Sequence, residues 1–261
     1  MLLLRLLIIV LLIYAGFGLY LYLVQRSFIY LPTRDPHDGH DNFIQVESGG
    51  ETIKIWTISP GQRDAVLYFG GNAEDVFYNT SDFQEVLPEH SVYLVNYRGY
   101  GGSTGTPTER GLFVDALAIF DRLQAEHERI AVIGRSLGSG VAAYLASQRP
   151  VARLILVTAS DSAVAIGQSA YPFYPITLLL KDQYRSDRYA PQINAPTLLL
   201  IAERDDIIPP KHSLKLLESF RPGIAEKLVI PRAGHNDLSR FPKYWEKIRE
   251  FLQRSPAEEG N

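Results

Sequence analysis

The segment Gly134-Arg135-Ser136-Leu137-Gly138 places Ser136 two residues from a glycine on each side. An apolar run, residues 130–134, precedes Ser136, and a stretch rich in alanine, valine and leucine follows it, so the serine falls where a predicted strand meets a predicted helix. Gly-x-Ser-x-Gly at such a junction is typical of a sharp turn that presents the hydroxyl as a nucleophile, with no space for flanking side chains. A glycine-rich helix start in an α/β protein is the simpler alternative.

A serine hydroxyl becomes nucleophilic when a base removes its proton, and histidine is the usual base. Two histidines follow Ser136 in the chain. His235, in "PRAGHNDL", lies after the last predicted strand and before the last predicted helix, where a catalytic histidine loop belongs. His212 lies inside a predicted helix and is expected at the surface. These positions favour His235 as the base.

The base needs a carboxylate that orients its ring, and this residue should follow the strand before the histidine. The segment "TLLLIAERDDIIPP" supplies Glu203, Asp205 and Asp206. We expect Asp205 to fill this role, with Asp206 as its near competitor. Acids that merely solvate a loop would explain any one of these residues, but not the joint order of serine, acid and histidine.

Two backbone amides are expected to stabilise the negative charge that develops on a substrate oxygen. One is the N–H of Leu137, directly after the nucleophile. The other follows a strand in "YFGGNAED", where Gly70 and Gly71 let the backbone approach a substrate closely and Asn72 offers its N–H. A plain turn is the alternative for this Gly-Gly-Asn sequence.

Alternating strand and helix patterns surround these residues. Strands are predicted at 52–58, 65–69, 91–97, 130–134, 153–159, 197–202 and 227–231, and helices at 74–87, 108–126, 137–147, 210–220 and 241–254. Nearly continuous apolar strands that alternate with helices predict a mostly parallel sheet covered on both faces. At 261 residues, one globular domain is expected.

The N-terminus differs from an ordinary soluble domain because residues 6–24 carry no charged or strongly polar side chain. As a helix these 19 residues would span about 28 Å, close to the hydrocarbon thickness of a bilayer. A cleaved signal peptide, with Gly16 and Gly18 near its cleavage site, is the alternative, but the apolar run continues past both glycines. We expect a retained single-pass anchor whose orientation the flanking arginines leave open.

Composition excludes several classes of function. The chain has no cysteine, which excludes thiol nucleophiles, thiolate metal sites and disulfides. Its net charge of −3 and the lack of a basic cluster argue against nucleic acid as a partner. His37 and His40 lie among aspartates in a Pro/Gly-rich segment, but their spacing fits no common metal site, and a solvated linker is expected. Neither a metal nor a cofactor is expected.

Five motifs occur in order across residues 66–238: "YFGGNAED", "NYRGYGGSTGTPTE", "GRSLGSG", "LIAERDDIIPP" and "RAGHNDL". With these motifs the sequence resembles the α/β-hydrolase superfamily. More narrowly, with "FIYLP" after its apolar N-terminus, it resembles membrane-anchored, single-domain α/β-hydrolase-domain proteins, a group that includes protein depalmitoylases. The chain departs from many relatives in having Gly70 where they have the histidine of His-Gly-Asn.

The resemblance implies an α/β-hydrolase fold preceded by one transmembrane helix. It also implies a serine hydrolase that cleaves carboxylic esters or thioesters through an acyl-enzyme, with a small-molecule or lipid-like acyl substrate. A serine peptidase of the prolyl-oligopeptidase type shares the fold and stays open, although no propeller-like domain is present. A non-catalytic, membrane-anchored binding module is the third hypothesis, against which the intact triad argues.

We expect an anchor at 1–25, a linker at 26–42, a hydrolase domain at 43–254 and a polar tail at 255–261. Residues 160–196 leave room for a small lid, whose apolar part, "YPFYPITLLL", either packs on the core, forms an acyl-binding wall or faces the membrane. The catalytic motifs lie within 66–238, so the anchor is expected to supply location alone. A chain that begins near Asp35 should then be soluble and still hydrolyse a short ester.

Overall fold

The structure, a computed structural model, describes residues 1–37 and 39–254. Its centre is one eight-stranded sheet in the order β1-β2-β4-β3-β5-β6-β7-β8. The strands are β1 Phe43–Ser48, β2 Glu51–Ile58, β3 Asp64–Phe69, β4 His90–Val95, β5 Arg129–Arg135, β6 Arg153–Val157, β7 Thr197–Ala202 and β8 Ala225–Ile230. The pairs β1–β2 and β2–β4 are antiparallel, and the other pairs are parallel.

Helices cover both faces of this sheet. They are α1 Leu2–Ile29, α2 Thr80–Val86, α3 Glu109–Leu123, α4 Leu137–Gln148, α5 Ala163–Ala170, α6 Ile176–Leu179, α7 Ser186–Tyr189, α8 Pro210–Glu218 and α9 Pro242–Gln253. Three short 3₁₀ segments lie at Val76–Asn79, Ala190–Gln192 and Leu238–Arg240. The expected fold class, a mostly parallel sheet with helices on both faces, is confirmed.

The apolar core forms two layers, one on each side of the sheet. Successive residues of a strand point to opposite faces, so in β5 Val132 packs with residues of α3 and α4, while Ile133 packs with residues of α2 and α9. Both side chains are fully buried. This two-sided burial explains why the central strands read as continuous apolar runs.

Two regions differ from the sequence-based expectation. Strand β1 was not predicted, although Gly49 and Gly50 separate it from β2 in a hairpin. The predicted helix at 74–87 is instead a 3₁₀ turn followed by α2. The first residues of that segment do not continue as a helix because the Asp75 carboxylate caps the 3₁₀ turn by accepting the Phe77 N–H, at 3.2 Å.

Helix α1 runs to Ile29, past the expected anchor boundary at residue 25. By length and composition it is the one helix in the described part of the chain that could cross a membrane, a test that a signal sequence also passes. Helices α5, α6 and α7 occupy the expected lid region, 160–196. The predicted polar tail, 255–261, lies outside the described residues.

Candidate active site

Ser136 lies in a sharp turn between β5 and α4. Its φ of +51° and ψ of −114° place a non-glycine residue in a strained region, which costs roughly 1–3 kcal/mol and often marks a functional site. A Cβ atom on Gly134 would collide with the carbonyl oxygen of Gly138, and one on Gly138 would collide with that of Phe69. The turn geometry expected for Gly-x-Ser-x-Gly is therefore confirmed, and both glycines are sterically required.

A chain of two hydrogen bonds links the serine, the histidine and an aspartate. His235 Nε2 lies 3.0 Å from Ser136 Oγ, and His235 Nδ1 lies 2.8 Å from Asp205 Oδ2. The three residues follow β5, β8 and β7, so the parallel sheet brings their loops to one edge. Asp205 and His235 are each 6% exposed, whereas Ser136 is partly open to a cavity.

The structure distinguishes the three acids after β7. Asp205 also accepts the backbone N–H groups of Ile207 and Ile208 through Oδ1, at 3.0 and 2.7 Å. This second pair of bonds fixes the carboxylate while Oδ2 reaches His235. Asp206 is exposed, and Glu203 accepts an N–H from the next loop. Of the three acids, Asp205 alone contacts the histidine.

Both expected amide donors border the same cavity as Ser136. Leu137 is the first residue of α4, where helix geometry leaves the N–H without a partner in the helix and the helix dipole favours negative charge. Among the described residues no group accepts the N–H of Asn72. Gly71 lies against the serine, since a Cβ there would be 3.6 Å from Ser136 Cβ. Two unpaired amides are thus available beside the hydroxyl.

The Asn72 loop is held by residues that precede the hydrolase domain. Asn72 Oδ1 accepts the N–H of Leu31 at 2.8 Å and the hydroxyl of Tyr100 at 2.9 Å. The Tyr30 hydroxyl is hydrogen-bonded to that of Tyr184 in the lid, at 2.8 Å. Tyr30 and Leu31, in the expected linker 26–42, therefore contribute hydrogen bonds to the site. That a chain beginning near Asp35 still hydrolyses a short ester stays a prediction.

Arg135 and Glu74 form an ion pair that sequence reasoning missed, and their side chains are only 21% and 11% exposed. Arg135 Nη1 donates to Glu74 Oε2 at 2.7 Å, and Nη2 donates to Asn236 Oδ1 at 2.9 Å, next to His235. Glu74 in turn accepts the N–H of Gly71. The pair therefore connects the glycine loop to the histidine loop. The sequence indicates this ion pair only weakly, through an arginine inside the nucleophile motif and an acidic residue three positions after Gly71.

Burial alone would raise the pKa of the Glu74 carboxyl, but the guanidinium of Arg135, the Gly71 amide and the Tyr68 hydroxyl together hold it below its usual value. Because the pKa of Glu74 is lower in the folded state than in the unfolded state, its carboxylate stabilises the fold at pH values above the unfolded-state pKa. This stabilisation is lost as the pH falls through the folded-state pKa.

We therefore expect Glu74→Gln to lower the melting temperature in detergent at pH 7, and the difference in melting temperature from the parent protein to shrink as the pH approaches 3.

Glu128→Gln is the matched control, since Glu128 pairs with Arg63 at an exposed site where ion pairs contribute little. Its melting temperature should stay close to that of the parent protein at both pH values. A Glu74→Gln difference that is constant between pH 7 and pH 3 would contradict the assignment of Glu74 as a charged, buried partner.

Gly70, expected to stand where many proteins of the resembled group have a histidine, has a steric explanation. A Cβ on Gly70 would lie 2.7 Å from Val76 Cγ1 and 3.2 Å from the Glu74 carboxyl carbon. The Gly70 carbonyl accepts the hydroxyl of Tyr97 at 2.7 Å. This chain therefore fixes the loop through its backbone and leaves no space for a side chain at that position.

His212 and His37 also differ from expectation. His212 is 5% exposed, and its Nδ1 lies 2.8 Å from Asp161 Oδ1, which ties α8 to the start of the lid. The prediction of a surface histidine is wrong because this face of α8 packs inward. His37, expected in a solvated linker, is hydrogen-bonded to Asp75 at 2.8 Å and stacks on Phe77.

A cavity of about 390 Å³ opens beside Ser136, within the roughly 300–1,000 Å³ usual for ligand sites. Most of its walls come from the turn that carries the serine, the lid helices α5 and α6, and one face of α1, and the loops with Asn72 and Ile207 complete them. Aliphatic and aromatic side chains dominate these walls. A cavity of this kind suits a ligand whose apolar group lies between these walls while the bond next to that group faces Ser136.

Comparisons with known proteins agree with this fold. A family model described as alpha/beta hydrolase fold matches residues 64–189. An uncharacterized protein of Mycobacterium tuberculosis is 34% identical over 265 residues, which cover 94% of this chain and 92% of that protein. The alpha/beta hydrolase domain-containing protein aho-3 of Caenorhabditis elegans is 32% identical over 200 residues, which cover 74% of this chain and 58% of that protein.

Solved structures share the fold at lower sequence identity. The esterase Pf2001 of Pyrococcus furiosus superposes with a TM-score of 0.69 at 20% identity, covering 86% of this chain and 99% of that one. At 20% sequence identity, this similarity shows only that the two chains share a fold.

Proposed function

Because the chain belongs to the α/β-hydrolase superfamily, we propose that it is a serine hydrolase that cleaves carboxylic ester or thioester bonds of acyl substrates. In this proposal Ser136 is the nucleophile, His235 the general base and Asp205 the carboxylate that orients it. The observation that carries the proposal is the hydrogen-bond chain from Ser136 Oγ through both ring nitrogens of His235 to Asp205, with links of 3.0 and 2.8 Å.

The first half of the reaction forms an acyl-enzyme. Ser136 Oγ attacks the carbonyl carbon of the substrate while His235 Nε2 takes the hydroxyl proton. The carbonyl oxygen becomes negative and accepts the N–H groups of Leu137 and Asn72. Collapse of this intermediate breaks the bond to the alcohol or thiol, which leaves with the proton from His235.

Water completes the reaction. His235 takes a proton from a water molecule, whose oxygen attacks the acyl carbon bound to Ser136. The second tetrahedral intermediate uses the same two amides, and its collapse releases the carboxylic acid and returns the proton to Ser136 Oγ. Asp205 stays ionised throughout and stabilises the imidazolium. No metal or cofactor takes part in these steps.

We also propose that α1 is a retained, single-pass membrane anchor. Its side chains are hydrogen-bonded to the folded domain: Gln25 Nε2 donates to the Leu179 carbonyl at 3.1 Å, and Arg26 Nε donates to Asp182 at 2.7 Å. A signal peptide that is removed would leave these partners uncovered. The contacts support an anchor that stays part of the mature protein.

A substrate panel tests the proposed reaction. Full-length protein in detergent should hydrolyse p-nitrophenyl esters, should release thiol from a short acyl thioester, and should leave prolyl peptide amides intact. Hydrolysis of the amides with no hydrolysis of esters would overturn the proposal in favour of a peptidase. No hydrolysis of any substrate, together with no reaction with a fluorophosphonate, would favour a binding module.

A further inference from the structure

Helix α1 is joined to the lid at its middle as well as at its end. The Tyr14 hydroxyl donates to the carbonyl oxygen of Phe173 at 2.6 Å, and the Tyr174 hydroxyl donates to the carbonyl oxygen of Tyr14 at 3.0 Å. The rings of Tyr14 and Tyr174 stack with their centroids 4.5 Å apart. The loop between α5 and α6 is therefore attached to the centre of the apolar helix.

A second joint lies near the C-terminal end of α1. Gln25 is 8% exposed, and its amide donates to the Leu179 carbonyl while its Oε1 accepts the Lys181 N–H at 2.6 Å. Lys181 Nζ lies 4.1 Å from the centre of the Tyr22 ring. Together with the ion pair of Arg26, these charged and amide groups mark a polar level at the end of the helix.

Helix length places the lid in relation to a bilayer. The uncharged part of α1, residues 6–24, is about 28 Å long, close to the hydrocarbon thickness of about 30 Å. If this part crosses the bilayer, the helix from Tyr14 to Val24, about 15 Å long, lies in hydrocarbon together with the lid residues that contact it. The polar level of Gln25 and Arg26 agrees with this depth, because it directly follows the uncharged part.

The surface of the lid suits that position. Phe173 and Leu178 are 85% and 82% exposed. The tyrosine hydroxyls at this depth are hydrogen-bonded to carbonyl oxygens, as polar groups in hydrocarbon must be. Exposed apolar side chains beside an apolar helix are expected to contact lipid.

One face of α1 also lines the cavity that contains Ser136. Leu21, Gln25 and Phe28, spaced four and three residues apart, belong to this face. The amide of Gln25 is occupied by the lid. Within the described part of the chain, no charged side chain lines the cavity. The wall opposite the serine is thus apolar and comes from the anchor itself.

We infer that this face of α1 is the wall of an acyl-chain site, and that the substrate is a long acyl chain held in the bilayer and joined by an ester or thioester. The chain enters from the leaflet, between α1 and the lid, and its carbonyl carbon meets Ser136. This inference rests on the proposed serine hydrolase function. It makes the anchor part of the binding site as well as a tether.

Two tryptophan substitutions on α1 test the inference. Leu21 is half-buried against the cavity, whereas Leu23 lies about 200° away around the helix and is 66% exposed. Full-length protein in phosphatidylcholine vesicles is assayed with p-nitrophenyl butyrate and with p-nitrophenyl palmitate. Leu21→Trp should lower the palmitate-to-butyrate ratio of kcat/KM by at least about tenfold, as overfilling an apolar pocket does. Leu23→Trp should keep the parent ratio.

Equal ratios in both variants and the parent protein would overturn the inference while leaving the proposed function intact. If Leu21→Trp loses both esters, Leu21→Ala decides the question: a changed ratio supports the wall, and an unchanged ratio overturns it. A parent protein that hydrolyses neither ester and does not react with a fluorophosphonate would instead overturn the proposed function.

The head group of the substrate is tested in the same vesicles with monopalmitoylglycerol and with an S-palmitoyl peptide. Both carry the same acyl chain, so cleavage of either one should depend on Leu21 as p-nitrophenyl palmitate does. The substrate that is cleaved identifies the source of the chain. If neither is cleaved while p-nitrophenyl butyrate is, the inferred substrate class is overturned.

Discussion

Ser136→Ala is expected to reduce kcat for p-nitrophenyl butyrate by about 10⁴-fold or more, because the acyl-enzyme then has no oxygen on which to form. The fold should persist, since the substitution removes one hydroxyl whose only side-chain partner is His235 among the described residues. Circular dichroism and melting temperature report the fold, and steady-state kinetics report the loss.

Ser160→Ala is the matched control for the nucleophile. Ser160 lines the same cavity, but it follows β6, away from the turn between β5 and α4. This variant should keep most of its kcat. A Ser136→Ala protein that retains kcat within tenfold of the parent would contradict the assignment of Ser136.

Asp205→Asn is expected to reduce kcat by roughly 10⁴-fold, because an amide no longer holds His235 in the tautomer that accepts the serine proton. The carboxylate is 2% exposed at its side chain and lies 2.8 Å from His235 Nδ1. The effect should fall mainly on kcat, since the aspartate does not line the cavity.

Asp206→Asn provides the comparison one residue away. Asp206 is exposed, so this variant should have nearly the kinetics of the parent protein. Measuring kcat and KM for both variants on one ester separates the two acids. A larger loss in Asp206→Asn than in Asp205→Asn would reverse the assignment of the orienting carboxylate.

Most of the sheet could be predicted from the sequence because its central strands are buried on both faces. Their apolar runs are short and bounded by glycine, proline or polar residues, which distinguishes them from helices. Strand β1 was missed because it is an edge strand with three residues that are only partly or not buried at its start. The order of serine, aspartate and histidine could also be predicted, since each residue lies in the turn or loop that follows a strand.

Contacts between residues far apart in the chain could not be predicted from the sequence. Arg135 and Glu74 are 61 residues apart, and the sequence around each of them gives only a weak signal for an ion pair. His212 sits in a helix whose inward face depends on where Asp161 lies, 51 residues earlier. Such pairs depend on the packing of separate elements, which periodicity within one element does not encode.

The contacts of α1 with the rest of the protein could not be predicted from the sequence either. Its apolar composition predicts a membrane span, and composition alone says nothing about what the helix contacts. The hydrogen bonds of Tyr14, Gln25 and Leu31 to the lid and to the Asn72 loop appear only in the folded molecule. Helix α1 and the segment directly after it therefore contact the lid and the loop that border the site.

The most direct test of the proposed serine hydrolase is to find which residue reacts with a fluorophosphonate. Full-length protein is labelled, digested and sequenced by tandem mass spectrometry. We expect one phosphonylated residue, Ser136, and loss of labelling when the protein is denatured first, because the reaction needs His235 beside the hydroxyl. Labelling at another serine, or none on the folded protein, would contradict the proposed serine hydrolase.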